Sequence, residues 1–521
     1  MPVASYLFAV CLAIRLPFFF IDVINWDEST FILMGQSILD GHLPYTQLWD
    51  LKPPLAFVPY ALFIALFGKS IVAVRLGGTI FVFLTSCLIY LIGERISHRR
   101  VGILAGTFFI SLSSLIANGQ AVMSEYMALL PLIGGLAVLI LNRSRLVVVL
   151  VAGILLTVAT LIRLNLAYVV VAVGLWILLT NFKQKSLAFW RVLIYSCGSL
   201  GTILLTYVPY GVTKQGHIWL SSVVLAPLSY SGQKTAWSAL QAQINFILAS
   251  ISPLEEANNF LSGGFAIPDG LLPVYELPLE LVGISSIVWI GGILGVVGII
   301  KHCQNLTIIK KQQLNLLAIF AIATEISIIK SGTVFEHYYI QIIPFFALSA
   351  GWFWHNLWRQ KHRFAINMAI ALCVFIACKP VFLQYQLLGD RLHSRQPLSY
   401  GIGYEIADYL SRVNPQQDSI YMMSEHIVYW FSGLQPISKS TTHPSNIAKE
   451  YLLEHILGAN PSTKSELDRI LKTKPKFIIK LKEVHYLEKN YPSQLLLNKT
   501  LASQYKLIKE IQGREIYQKN S

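Results

Sequence analysis

"IVAVRLGGTIFVFLTSCLIYLIGERISHRR", residues 71–100, stays apolar long enough to cross a bilayer and then ends in a basic cluster. About 20 residues rising 1.5 Å each span a hydrocarbon core roughly 30 Å thick. The cluster "ERISHRR" (94–100) belongs on the cytoplasmic side, because short Lys/Arg-rich loops are retained there. The same reading extends in both directions. Further apolar runs lie at 3–24, 101–118, 123–141, 146–162, 165–180, 191–210, 281–300, 314–329, 338–357 and 364–382. Together they predict an all-α polytopic membrane domain of about 11 transmembrane helices. The first run carries Arg15 and Pro17 and enters an Asp-Glu pair with no small-residue cleavage site, so it reads as a helix rather than a signal peptide.

Composition agrees. The 521 residues are 54% hydrophobic and only 13% charged, outside the range of a soluble enzyme. "NRSR" (142–145), "NFKQKSLAFWR" (181–191), "KHCQNLTIIKKQQ" (301–313) and "WRQKHR" (358–363) are basic like 94–100, and these loops fall on every second connection. The intervening connections, 25–70, 119–122, 211–280 and 330–337, carry few cations and are expected outside. Much of the +14 net charge is thereby a topology signal, and no nucleic-acid partner is expected. Five of the six cysteines lie in apolar runs and Cys303 in a cytoplasmic loop, so no disulfide is expected.

The pattern changes after residue 383. Amphipathic helical stretches alternate with short strands at Ser419–Met423 and Lys476–Leu481, without a Gly-rich phosphate loop. The predicted organisation is a membrane domain over 1–383 and a small α/β domain over 384–521, which an odd span count places outside.

Acids and bases gather at the outer ends of the spans. Asp27 and Glu28 follow the first helix in "INWDEST" and are read as its C-terminal end. Lys52 lies in "WDLKPPL", Glu125 opens the fourth helix in "MSEYM", Arg163 sits between the fifth and sixth, and Lys330, Glu336, His337 and Tyr338 lie in "KSGTVFEHYYIQIIP". Ionisable groups at this depth usually face a cavity and mark a substrate path. Each also has a plainer reading: a hydrated helix end for the acids, a snorkelling lysine, an aromatic interface belt for His337 and Tyr338. The stretch 29–70 is apolar but broken by Gly35, Gly41, Pro44, Pro53 and Pro54, which suits interfacial helices roofing a cavity.

The Asp-Glu pair after the first helix, the "KPPL" segment, the acid opening the fourth helix and the late "EHYYIQIIPFFAL" resemble one superfamily. It is that of the C-type membrane glycosyltransferases, which includes the protein O-mannosyltransferases (glycosyltransferase family 39) and the aminoarabinose transferases that modify lipid A. The resemblance covers residues 1–383, with fewer spans than the aminoarabinose enzymes. It implies a multi-pass cell-membrane enzyme that takes a sugar from a polyprenyl-phosphate donor and transfers it, with inversion, to an acceptor hydroxyl of a lipid, glycan or protein on the extracytoplasmic side. Asp27 is similar in position to the family's catalytic acid and would serve as general base; Lys52 matches its phosphate-binding lysine. Arg163 and His337 would also face the anionic leaving group, while Glu28, Glu125, Glu336 and Tyr338 would hold substrate. No cofactor is assigned and metal dependence stays open; a divalent cation, Mg²⁺ or Mn²⁺, would find Asp27, Glu28 and Glu125 as oxygen ligands. The alternatives are a transporter or flippase of lipid-linked glycans, expected to show paired repeats and polar groups at the membrane midplane, and an inactive scaffold.

Overall fold

Pro17 sets the first feature of the fold. It has no N–H to give the carbonyl of Ala13, and that carbonyl accepts instead from the Tyr385 hydroxyl at 3.0 Å. The first helix, α1 (Val3–Arg15), therefore stops early and continues as a 3-10 turn over Leu16–Phe20. Asn25 then caps a new helix, α2 (Trp26–Leu39), by accepting the Asp27 amide at 2.9 Å. Asp27 and Glu28 thus open α2 rather than close α1, which corrects the reading from sequence. At an N-terminus the helix dipole favours both acids.

A computed structural model of the protein describes residues 2–116, 118–142, 145–180, 184–231, 278–303, 306–330, 335–359, 378–458, 461–488 and 490–520. After α2 come α3 (Val58–Phe67), α4 (Ile71–Ile96), α5 (Arg99–Leu115), α6 (Ser124–Leu141), α7 (Leu146–Ile162), α8 (Ala167–Thr180) and α9 (Lys185–Val212). Later helices include Pro278–His302, Ile308–Lys330, Ile343–Trp358 and Lys379–His393. Among the described residues, five helices are long and apolar enough to cross a membrane: Val3–Phe20, Ile71–Ile96, Ser124–Leu141, Lys185–Val212 and Ile308–Lys330. Helices overlie every predicted run except 364–382, which lies mostly outside the described residues, as does most of the connection 211–280. The roof expected from 29–70 consists of α2 and α3 packed on each other, with α2 burying Phe31, Ile32, Leu33 and Met34.

The C-terminal region is built on a four-stranded sheet: β1 (Ile420–Met422), β2 (Phe477–Leu481), β3 (Tyr505–Ile511) and β4 (Arg514–Lys519), in spatial order β1-β2-β4-β3. β1 and β2 pair in parallel across an intervening helical segment, and the other pairs are antiparallel. Gln512 and Gly513, both with positive φ, form the β3–β4 turn. The helix Lys379–His393 runs through residue 383, the boundary expected from sequence.

Two chain segments stitch this region to the stretch that follows α1. Asp22 N donates to the Tyr400 carbonyl at 3.0 Å and Tyr400 N to that of Phe20 at 2.9 Å. The Asp22 carboxylate accepts the amide of Gly403, in the first turn of the helix Ile402–Val413, at 2.6 Å. Gly401, at φ +129°, precedes that helix, and a Cβ there would strike the Asp22 carboxylate. One hydrophobic core runs unbroken from Leu7 of α1 and Phe109 of α5 to Ile406, Phe477 and Ile516 of the sheet region.

Candidate active site

Lys52 is placed by its own backbone. Its amide donates to Asp50 Oδ2 at 3.0 Å, its carbonyl accepts from the Tyr45 hydroxyl at 2.7 Å, and Pro53 and Pro54 fix the chain that follows. The side chain crosses the face of Phe31, 5.7 Å from the ring centroid, and brings Nζ to 3.5 Å from Asp27 Oδ2. Both side chains stay about one-fifth open, at 19% for Lys52 and 22% for Asp27. The two residues expected to bind phosphate and accept a proton therefore meet.

The other oxygen of Asp27 has a partner that sequence reading missed. His443 Nε2, from the C-terminal region, lies 3.2 Å from Asp27 Oδ1. Burial alone would raise the Asp27 carboxyl, but Lys52 and His443 outweigh it and hold it well below the usual carboxylate range. The Lys52 ammonium, which burial would lower, is held above its ordinary value by Asp27 and Asp50.

Glu28 points elsewhere and differs from expectation. It is 1% exposed, ion-paired to Arg75 of α4, and accepts the amides of Val122 at 2.7 Å and Ile24 at 3.2 Å. Arg75 also donates to the carbonyls of Gln120 at 3.1 Å and Asp22 at 3.0 Å. Arg15 reaches the same turn, donating to the Gly119 carbonyl at 2.9 Å and the Gln120 carbonyl at 3.3 Å. Both oxygens of Glu28 are thus occupied by protein donors, and the residue fixes the turn that leads into α6 instead of offering hydroxyl contacts to a substrate.

That turn delivers Glu125, fully buried, to Arg163 at 2.7 Å, with His337 Nε2 at 3.8 Å from the same carboxylate oxygen. Arg163 caps the C-terminus of α7 and lies over the Tyr338 ring, 4.5 Å from its centroid. His337 stacks on Phe335 at 5.6 Å and meets Tyr338 edge-on at 4.9 Å. Charge on His337 is felt at Asp27, and charge on Arg163 at Lys52, so the two groups form one electrostatic cluster. The side chain of Glu336 and the segment 331–334 lie outside the described residues, while Lys330 ends the helix Ile308–Lys330.

The three acids considered as metal ligands each have a cation: Asp27 has Lys52, Glu28 has Arg75 and Glu125 has Arg163. Their oxygens do not converge. Among the described residues, the one group of three or more acids and histidines close enough to share an ion is Glu483, His485 and Glu488, exposed and remote in sequence from these acids. The cluster as built does not fit a divalent cation.

Residues 51–210 match the family model described as dolichyl-phosphate-mannose-protein mannosyltransferase, an interval that carries Lys52, Arg75, Glu125 and Arg163. The apo crystal structure of ArnT from Cupriavidus metallidurans superposes with a TM-score of 0.58 at 12% identity, covering 98% of this chain and 97% of ArnT. The chain has the fold of the C-type membrane glycosyltransferases. ArnT bound to undecaprenyl phosphate gives a TM-score of 0.55 at 13% identity, over 99% of this chain and 96% of ArnT. The apo Archaeoglobus fulgidus oligosaccharyltransferase gives 0.50 at 14% identity, over 92% of this chain and 69% of that one. No curated protein matches the chain. The C-type fold inferred from the Asp-Glu pair and "KPPL" is thereby confirmed; the residue roles rest on the geometry above.

Proposed function

We propose that this protein is a membrane glycosyltransferase that moves a sugar from a polyprenyl-phosphate carrier to a hydroxyl of a lipid, glycan or protein. The Asp27–Lys52 pair carries the reading: a carboxylate able to take a proton and a cation able to meet a phosphate, 3.5 Å apart and both partly open. Undecaprenyl phosphate is the ligand of an ArnT structure with the same fold, which supports the carrier class.

The acceptor hydroxyl gives its proton to Asp27 as its oxygen bonds to the anomeric carbon. The bond from that carbon to the phosphate oxygen breaks, and the electron pair leaves with the polyprenyl phosphate. That leaving group needs cations rather than an acid, and Lys52 and Arg163 supply them. The pairing also tunes the base. Lys52, while paired with Asp27, lowers its basicity; when Lys52 turns to the donor phosphate that lowering is withdrawn, and Asp27 becomes a better proton acceptor than in the pair. Glu28 and Glu125 are held by arginines, so Asp27 is the open carboxylate of the three. Among the described residues of the cluster, one open carboxylate acting as base suits a single displacement with inversion.

The site lies at the ends of α4 and α5 away from their basic connection, His98–Arg100, which supports placing it with the C-terminal domain on the extracytoplasmic face. A reporter active only in the cytoplasm and fused after Ser521 should stay silent; activity there reverses the sidedness. The catalytic reading is tested by incubating the full chain in native membranes with polyprenyl-phosphate mannose, glucose, galactose and arabinose. Release of polyprenyl phosphate from one of them, with the matching mass gain on an acceptor, is expected. No release from any carrier that binds would contradict it.

A further inference from the structure

Asp27 is held from two directions, by Lys52 of the loop after α2 and by a residue of the C-terminal region. The latter, His443, joins the loop 438–442 to the short helix Pro444–Ala448, a segment that the C-terminal region lowers onto α2 and the Lys52 loop. Thr442 Oγ1 donates to the Trp49 carbonyl at 2.6 Å, and the Thr442 carbonyl accepts from Thr30 Oγ1 of α2 at 2.8 Å. Asn446 Nδ2 donates to the same Trp49 carbonyl at 3.1 Å and to Thr442 Oγ1 at 3.0 Å. At the far end of the loop, buried Glu466 accepts from Ser438 and, at 2.8 Å, from Ser440, with Arg469 at 2.7 Å closing the network. Every residue named is fixed by a hydrogen bond, so the loop is preorganised rather than draped.

The imidazole is fixed in its proton position as well. His443 Nδ1 accepts the Ser445 amide at 3.1 Å and lies 2.6 Å from the Ser445 hydroxyl. A neutral imidazole that accepts at one nitrogen carries its hydrogen on the other. The hydrogen-bond network therefore assigns the proton to Nε2, the atom facing Asp27 Oδ1. Trp26 meets the ring at 77° with centroids 6.5 Å apart, so the ring plane has a neighbour too.

Resting on the transferase reading, we infer that His443 is a positioning residue of the reaction. Its Nε2–H holds Asp27 Oδ1 throughout, so that when Lys52 moves to the donor phosphate, Oδ2 alone is released to receive the acceptor proton in a set direction. The C-terminal domain is then a working part of the catalytic centre, and the active carboxylate is shared between the two parts of the chain.

Two substitutions separate this role from simple packing. His443→Phe keeps a ring beside Trp26 but has no N–H; His443→Gln keeps a side-chain donor. Both are to be compared with the parent and with Asp27→Asn in full-length protein reconstituted in vesicles, at equal amounts. The readout is polyprenyl phosphate released from whichever polyprenyl-phosphate hexose or pentose the parent turns over. The expected result is a kcat for His443→Phe lower by about 10- to 100-fold, the scale of a small misalignment at a reacting group. The KM for the carrier should be unchanged, and most of the loss should be restored in His443→Gln. If His443→Phe turns over like the parent while Asp27→Asn is inactive, the inference fails and the transferase reading stands. Equal loss in both histidine variants, accompanied by a lower melting temperature, makes the loop merely structural and overturns it. Asp27→Asn at the parent rate removes the base itself, and with it the role given to His443.

Discussion

Asp27 and Glu28 are adjacent in sequence and opposite in role. Asp27 keeps one-fifth of its side chain open beside Lys52, whereas Glu28 is closed in with Arg75. An unpaired buried charge is costly, and breaking a buried pair by removing one partner typically costs about 3–5 kcal/mol. Glu28→Gln should therefore lower the melting temperature and yield of the membrane protein sharply, and double replacement with Arg75→Met should recover part of the loss. A parent-like melting temperature for Glu28→Gln would remove its structural assignment. Lys52 was legible because two prolines and an isolated cation stand out in an apolar stretch. The partner of Glu28 was not, because Arg75 lies 47 residues on, inside a run read as a span. His443 was hidden for a related reason: it sits in a polar loop, and nothing in its spacing shows that the loop descends onto α2.

Between elements, the joint of the stretch after α1 with the helix Ile402–Val413 has a pH dependence of its own. Burial, reinforced by the like charge of Glu425, pushes the Asp22 carboxyl up to about 7 from 3.8, against the Gly403 amide and the charge of Arg75. A carboxyl raised on folding binds its proton more tightly in the folded chain. Its contribution to stability is full below the unfolded value and is lost as pH rises through the folded one. The melting temperature of the detergent-solubilised protein should therefore fall as pH rises from about 4 to about 8, and Asp22→Asn should flatten that slope. An unchanged slope in Asp22→Asn would place the titration elsewhere. The helices were the most legible elements, since length and hydropathy mark them directly. Where α1 ends was not: the apolar run passes straight through Pro17, and only the capping by Asn25 shows that the acids belong to the next helix. The strands β1 and β2 were legible as short apolar runs, but the β3–β4 hairpin was overlooked despite the Gln512–Gly513 turn.

Across the whole molecule, the continuous core joins the sheet region to the membrane helices, and the candidate site forms where they meet. The loop after α2 supplies Lys52, the end of α7 Arg163 and the start of α6 Glu125, and the C-terminal region supplies His443. The family model matching residues 51–210 carries Lys52, Glu125 and Arg163 but neither Asp27 nor His443. The measurement that bears most directly on the account is the turnover of Asp27→Asn in full-length protein, at membrane levels equal to the parent and with saturating polyprenyl-phosphate sugar. Asparagine keeps the size and much of the hydrogen bonding but takes no proton. Release of polyprenyl phosphate should fall by about 10²–10⁴-fold while carrier binding is retained. Release at the parent rate would contradict the assignment of Asp27 as the base that drives transfer.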